Sequence, residues 1–168
     1  NPEIHYSVLI VDEASMVSDV LSQGEFFRFG TGYLLRDLIV YGRIQEATTT
    51  SKLIFIGDPA QLPPIGMKFS PALDPQYLRE TYNISVSQAE MKEMKRHDAN
   101  NGILISATKI RQCLTSGYFN DFDLRENNTD IFNPAYQDYL ETYKSQQDPK
   151  IIICYKNKTA LDLNIDIR

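Results

Sequence analysis

An α/β fold built on parallel strands is what the sequence predicts, and three observations predict it. Residues 8–11 (Val-Leu-Ile-Val) and 53–56 (Leu-Ile-Phe-Ile) are short, continuous apolar runs rich in Val and Ile, the pattern of strands buried on both faces of a parallel sheet. Each run stops at an acidic turn, Asp12-Glu13 after the first and Gly57-Asp58 after the second. Between them, residues 33–41 place Leu34, Leu35, Leu38 and Ile39 at the spacing of a helix with one buried face. The result is a β-α-β unit, whose crossover is expected to be right-handed.

The remaining elements follow in chain order. Residues 24–32 read as a loop, Gly42 as the helix stop, and residues 46–51 as a polar connection into a strand over 52–56. Residues 67–82 carry two prolines, Pro71 and Pro75, with little periodicity, and predict an extended surface segment. Ile84 and Val86 alternate with Ser, as in a half-buried strand, before the charged stretch 90–96. Ile103, Leu104, Ala107, Ile110 and Leu114 mark a helix ended near Gly117. Residues 119–132 are polar, acidic and Asn-rich, which predicts a loop. Asn133-Pro134 reads as an N-cap with Pro at the first helical position, and Tyr136, Tyr139, Leu140 and Tyr143 line one face of the helix that follows. Asp148-Pro149 ends it ahead of a strand over 150–155. There is no internal repeat and no low-complexity tract.

Composition narrows the class. With 168 residues and 42% hydrophobic content, the chain suffices for one medium domain or two small halves with a core. No apolar run approaches the length of a membrane span, and the start, Asn1-Pro-Glu-Ile-His5, lacks the regions of a signal peptide, so no membrane is expected. Cys113 and Cys154 have no metal-ligand spacing and read as buried thiols of a reducing compartment, which implies a cytoplasmic protein. The triplets Asn83-Ile-Ser85 and Asn157-Lys-Thr159 are then accidental as glycosylation signals. A net charge of −5 argues mildly against nucleic acid. A local groove with stacking side chains can sit on a protein that is acidic elsewhere, and ten Tyr and eight Phe supply candidates, the Phe26-Phe27-Arg28-Phe29 cluster first among them. Aromatics are more often core, and helix or loop packing is the plainer reading of that cluster.

The two acidic turns carry the chemistry. In parallel sheets ligands sit at the carboxyl ends of the strands, where Asp12, Glu13, Asp58 and Gln61 fall. An Asp directly after a buried strand can hold Mg²⁺, largely through water, with the metal bridging nucleotide phosphates; Asp12 is that metal residue. Side chains diverge at a strand end, so Glu13 can face an attacking water as general base. Gln61 has an amide donor and a carbonyl acceptor, so it can touch a γ-phosphate and the water together. Each motif alone has a plainer reading: a strand finishing in a solvated acidic turn, and a Gly-Asp-Pro turn stiffened by Pro63-Pro64. Found in order, each after a buried-strand pattern, they point to one nucleotide site.

These residues resemble the RecD-like branch of superfamily 1 DNA helicases. Ile10-Val-Asp-Glu-Ala-Ser-Met-Val17 is similar to the family's Walker B motif, and Phe55-Ile-Gly-Asp-Pro-Ala-Gln-Leu-Pro-Pro-Ile-Gly66 to its motif III. Met91-Lys-Glu-Met-Lys-Arg-His97 with residues 102–111 resembles the motif IV region, where the family places an arginine that crosses the nucleotide cleft; by resemblance this is Arg96. The family commonly has Gln after that arginine, whereas His97 stands here. Residues 151–160, with Leu163, Asn164, Ile167 and Arg168, are similar to a strand and helix of the second motor domain.

The resemblance implies a RecA-like P-loop NTPase lobe, incomplete, over residues 1–84, and the beginning of a second RecA-like lobe over 85–168, with the boundary near residues 80–90. It implies ATP and Mg²⁺ as cofactors and single-stranded DNA, tracked 5′ to 3′, as partner. Other subunits of a repair or recombination complex are implied as further partners. No Gly-x-x-x-x-Gly-Lys-Ser/Thr loop occurs, although the phosphates need its amides and Lys. The expectation is therefore an internal piece of a longer polypeptide that neither hydrolyses ATP nor unwinds DNA alone. Two alternatives stay open. A PhoH-like ATPase also combines an acidic Walker B with a Gly-Asp-x-x-Gln loop, although Leu62-Pro-Pro-Ile-Gly66 favours the helicase. A degenerate, non-hydrolysing module that binds a partner or DNA is the other.

Overall fold

The computed structural model describes residues 8–22, 30–93, 101–119, 126–127 and 129–168. The chain forms two compact units, residues 1–93 and 94–168. Ile84 and Val86 are packed on the core of the first unit.

In the first unit, β1 (Val8–Val11) and β2 (Lys52–Phe55) pair in parallel, Val8 opposite Lys52 and Val11 opposite Phe55, with α1 (Leu34–Tyr41) between them in sequence. The unit is α/β, as the apolar runs predict. The expectation that both strands are buried on both faces is corrected. Val11, Leu53 and Phe55 pack on a core of Ala14, Val17, Leu35, Ile39, Ala72, Leu78 and Tyr82. On the opposite face Val8, Ile10 and Ile54 are 47%, 59% and 42% exposed. Neighbouring side chains on a strand point to opposite faces, and the described elements of this unit cover one face.

α1 turns Leu35 and Ile39 fully inward and Leu38 partly so, but Leu34 stays half exposed, a correction to the predicted face. The Leu35 amide donates to the Ser18 carbonyl at 2.9 Å, and this anchor directs Leu35, rather than its neighbour, at the core. The helix stops at Gly42 as expected, and the space there suits a residue without a side chain. Gly42 has an ordinary right-handed conformation, and a Cβ there would meet Ile44 Cγ1 at 3.2 Å and the Leu38 carbonyl at 3.3 Å.

Residues 67–82 are not an extended surface segment. They form a 3₁₀ turn (Pro71–Leu73) and α2 (Pro75–Tyr82), with Pro71, Ala72, Leu78 and Tyr82 buried. The prolines that suggest extension sit at helix starts, where a missing N–H costs nothing. Asp74 caps α2, its Oδ1 accepting from the amides of Gln76 at 2.9 Å and Tyr77 at 3.0 Å. Asn83 closes the helix in the left-handed conformation. Asp74→Ala is expected to cost about 0.5–2 kcal/mol, read as a lower urea midpoint by far-ultraviolet circular dichroism, with Asp74→Asn largely neutral. After α2, Ile84 and Val86 are half-buried as predicted but form no strand; Arg79 Nη2 donates to the Val86 carbonyl instead, at 2.9 Å.

In the second unit, α3 spans Gly102–Ser116, capped by Asn101, whose Oδ1 accepts from the Leu104 amide at 3.1 Å, and closed by Gly117 at φ 70°. Its predicted apolar face is corrected: Ile103, Ile110 and Leu114 are exposed, and the buried positions are Gly102 and Cys113. α4 (Tyr136–Ser145) starts after Ala135, so Asn133-Pro134 precedes the cap rather than forming it. Tyr139, Leu140 and Tyr143 are half-buried, while Tyr136 is exposed with its hydroxyl donating to Asp166 of α5 (Asn157–Ile167) at 2.8 Å. The strand predicted over 150–155 does not form, and Ile151, Ile153 and Tyr155 are exposed. An apolar alternation becomes a strand only with a neighbour to complete its hydrogen bonds. Cys113 and Cys154 are free thiols, the first buried and the second half-buried. Among the described residues, no helix is long and apolar enough to cross a membrane.

Candidate functional site

The in-register pairing of β1 and β2 brings their carboxyl ends together, and backbone hydrogen bonds continue the junction past the strands. The Ile56 amide donates to the Val11 carbonyl at 2.8 Å, and the Ala14 amide to the Ile56 carbonyl at 2.9 Å. Asp12-Glu13 leaves one strand end and Gly57-Asp58 the other. Gly57 allows the two loops to touch: a Cβ there would lie 3.0 Å from the Ser15 amide nitrogen, 3.1 Å from that of Ala14 and 3.0 Å from Leu73 Cδ1.

The side chains are held by their own backbone. Asp12 is exposed, and its Oδ1 accepts from the Glu13 amide at 2.9 Å. Glu13 is exposed and left-handed, with φ 52° and ψ 36°, at the head of a 3₁₀ turn over Ala14–Met16, and its side chain caps nothing. Asp58 is half-buried; its Oδ1 accepts from the Ala60 amide at 2.9 Å and its carbonyl from the Gln61 amide at 3.0 Å. This turn carries Gln61 exposed at its tip. Pro64 then buries, Leu62 and Ile65 project outward, and Gly66 takes φ 83°. Asp12, Glu13, Asp58 and Gln61 thus belong to two loops at one end of the sheet. Arg96, His97 and the Phe26–Phe29 cluster lie outside the described residues.

The donor set bears on a metal. Among the described residues, no group of three or more His, Cys, Asp or Glu side chains converges to hold an ion. Asp12 has one carboxylate oxygen beyond the one that Glu13 engages. That is not an all-protein cage; a Mg²⁺ ion, which keeps several waters, would need phosphate oxygens to complete its shell there.

Beside the predicted residues stands a cluster that sequence reasoning missed. Asp19 Oδ1 accepts from the Tyr82 hydroxyl and Oδ2 from the Tyr77 hydroxyl, both at 2.6 Å. Burial, and then the hydrogen bond to Asp19, pushes both phenols above their ordinary range, Tyr82 the further. A raised phenol favours folding fully below the unfolded value of about 10 and loses that contribution as pH rises through the folded value. Both phenols therefore keep their protons, and remain donors to Asp19, through neutral pH. Nothing local to Ser18-Asp19 signals it, because its partners lie on α2. Ser15 and Ser70 Oγ are buried without a hydrogen-bond partner among the described residues; Ser15 lies within the first 3₁₀ turn and Ser70 caps the second, and the two turns contact one another.

Comparison of the chain with protein-family models, with curated proteins and with solved structures finds no match.

Proposed function

We propose that this chain carries part of the nucleotide-hydrolysing site of an ATP-dependent DNA helicase of the RecD-like kind, moving 5′ to 3′ on single strands. What supports the reading above all is the junction of the two loops: an acidic dyad and an amide-bearing turn leave adjacent parallel strands at the same end, joined through Ile56 and Gly57. That end of a parallel sheet is where such folds bind ligands.

In this reading Asp12 would help to hold Mg²⁺, and Mg²⁺–ATP, when bound, would supply the phosphoanhydride to be cleaved. Glu13, which enters the 3₁₀ turn with a left-handed backbone and a side chain that caps nothing, would orient a water and accept its proton. Asp58 fixes the turn that presents Gln61, and Gln61 contacts water and phosphate together. The role of Arg96 rests on the resemblance alone. The sequence holds no Gly-x-x-x-x-Gly-Lys-Ser/Thr loop, so this reading requires the phosphates to be cradled by residues other than these. The test is ATP hydrolysis by the full-length polypeptide with and without single-stranded DNA. Stimulation by DNA supports the proposal; a folded polypeptide with no turnover ends it.

A further inference from the structure

Residues 14–19, which follow the acidic dyad, are pinned along their length. The Ala14 amide is bonded to Ile56, Val17 is buried in the core, the Ser18 carbonyl receives the Leu35 amide at 2.9 Å, and Asp19 receives two phenols. The chain on both sides of Gln61 is held against the same place. Gly57 presses on Ala14 and Ser15, the turn at 71–73 packs on the turn at 14–16, and α2 then supplies Tyr77 and Tyr82. Asp19 therefore closes a ring of contacts that contains both candidate catalytic loops. Each carboxylate oxygen is occupied by a different hydroxyl, so a carboxylate is the group that accepts both bonds at once. The Tyr82 carbonyl also accepts from Gln45 Nε2 at 2.8 Å, which ties α2 to the connection leading into β2.

We propose that Asp19 is a positioning residue: through Tyr77 and Tyr82 it sets the spacing between the Glu13 turn and the Gln61 loop. The role in catalysis rests on the function proposed above, whereas the mechanical coupling does not. Small misplacement at a reacting centre is costly, about 10²-fold for 1 Å, so a clamp remote from the chemistry can govern its rate.

Two experiments test this. On the 168-residue chain, hydrogen–deuterium exchange is compared for the wild type, Tyr82→Phe, and the Tyr77→Phe/Tyr82→Phe pair, substitutions that remove hydroxyls and keep the rings. Faster exchange in residues 12–18 and 57–66 together is expected; a response confined to α2 overturns the coupling. In the full-length polypeptide, Asp19→Asn is expected to lower kcat about tenfold or more with KM for ATP within about twofold, and to add little further loss to Gln61→Ala. A change in KM alone, or losses that multiply independently, overturns the positioning role. Absence of ATP turnover in the wild type sinks the proposed function instead and leaves the exchange result to decide the clamp.

Discussion

Glu13→Gln is expected to lower ATP turnover of the full-length polypeptide by about 10²–10⁴-fold, the range for removing a general base, while nucleotide still binds. Gln keeps the size and hydrogen-bonding reach of Glu and loses its basicity. The Glu13 side chain caps no helix and stands exposed, so the substitution leaves the fold without a gap to fill. Steady-state phosphate release measures the first quantity and equilibrium binding of a nucleotide analogue the second. Unchanged DNA-stimulated turnover would remove Glu13 from the mechanism. Loss of binding together with turnover would make it a ligand of the nucleotide rather than a base.

Leu35→Ala is expected to destabilise the first unit by about 2–5 kcal/mol, the cost of emptying a fully buried leucine position. Leu35 has no exposed surface, and with Ile39 it forms the part of α1 that meets Ala14 and Val17, the residues directly behind the dyad. Leu34→Ala, one position away and 48% exposed, is expected to change stability by no more than about 0.5 kcal/mol. Urea unfolding followed by far-ultraviolet circular dichroism compares the two in a chain that has no tryptophan. Equal effects would mean that α1 presents a different face to the core. Because α1 also anchors Ser18 through the Leu35 amide, loosening it should reach the dyad segment as well.

What could be read from the residues depended on whether the cause was local. The runs 8–11 and 53–56 announce strands because four consecutive apolar residues before an acidic turn have few other uses, and the pairing follows once a helix separates them. The same runs mislead about burial, since an apolar run does not state how many layers cover it. In α2 the local signal was present and was overlooked: Asp74-Pro75 is a cap followed by a first-position proline. That logic placed α4 two residues early at Asn133-Pro134, where Ala135 intervenes. Residues 150–155 have strand composition without a strand partner, a property that belongs to the surroundings. At the site, the positions of Asp12, Glu13, Asp58 and Gln61 relative to the strand ends were legible. The tie from Asp19 to Tyr77 and Tyr82 spans 58 and 63 residues, and only the folded chain reveals it.

The left-handed turn at residue 13 has a practical corollary for efforts to harden this chain against heat. A non-glycine side chain in that conformation carries about 1–2 kcal/mol of strain, which Asn or Gly tolerates better. A library screened for thermal endurance alone should therefore enrich Glu13→Asn and Glu13→Gly. On the proposed chemistry, those sturdier descendants would be idle enzymes.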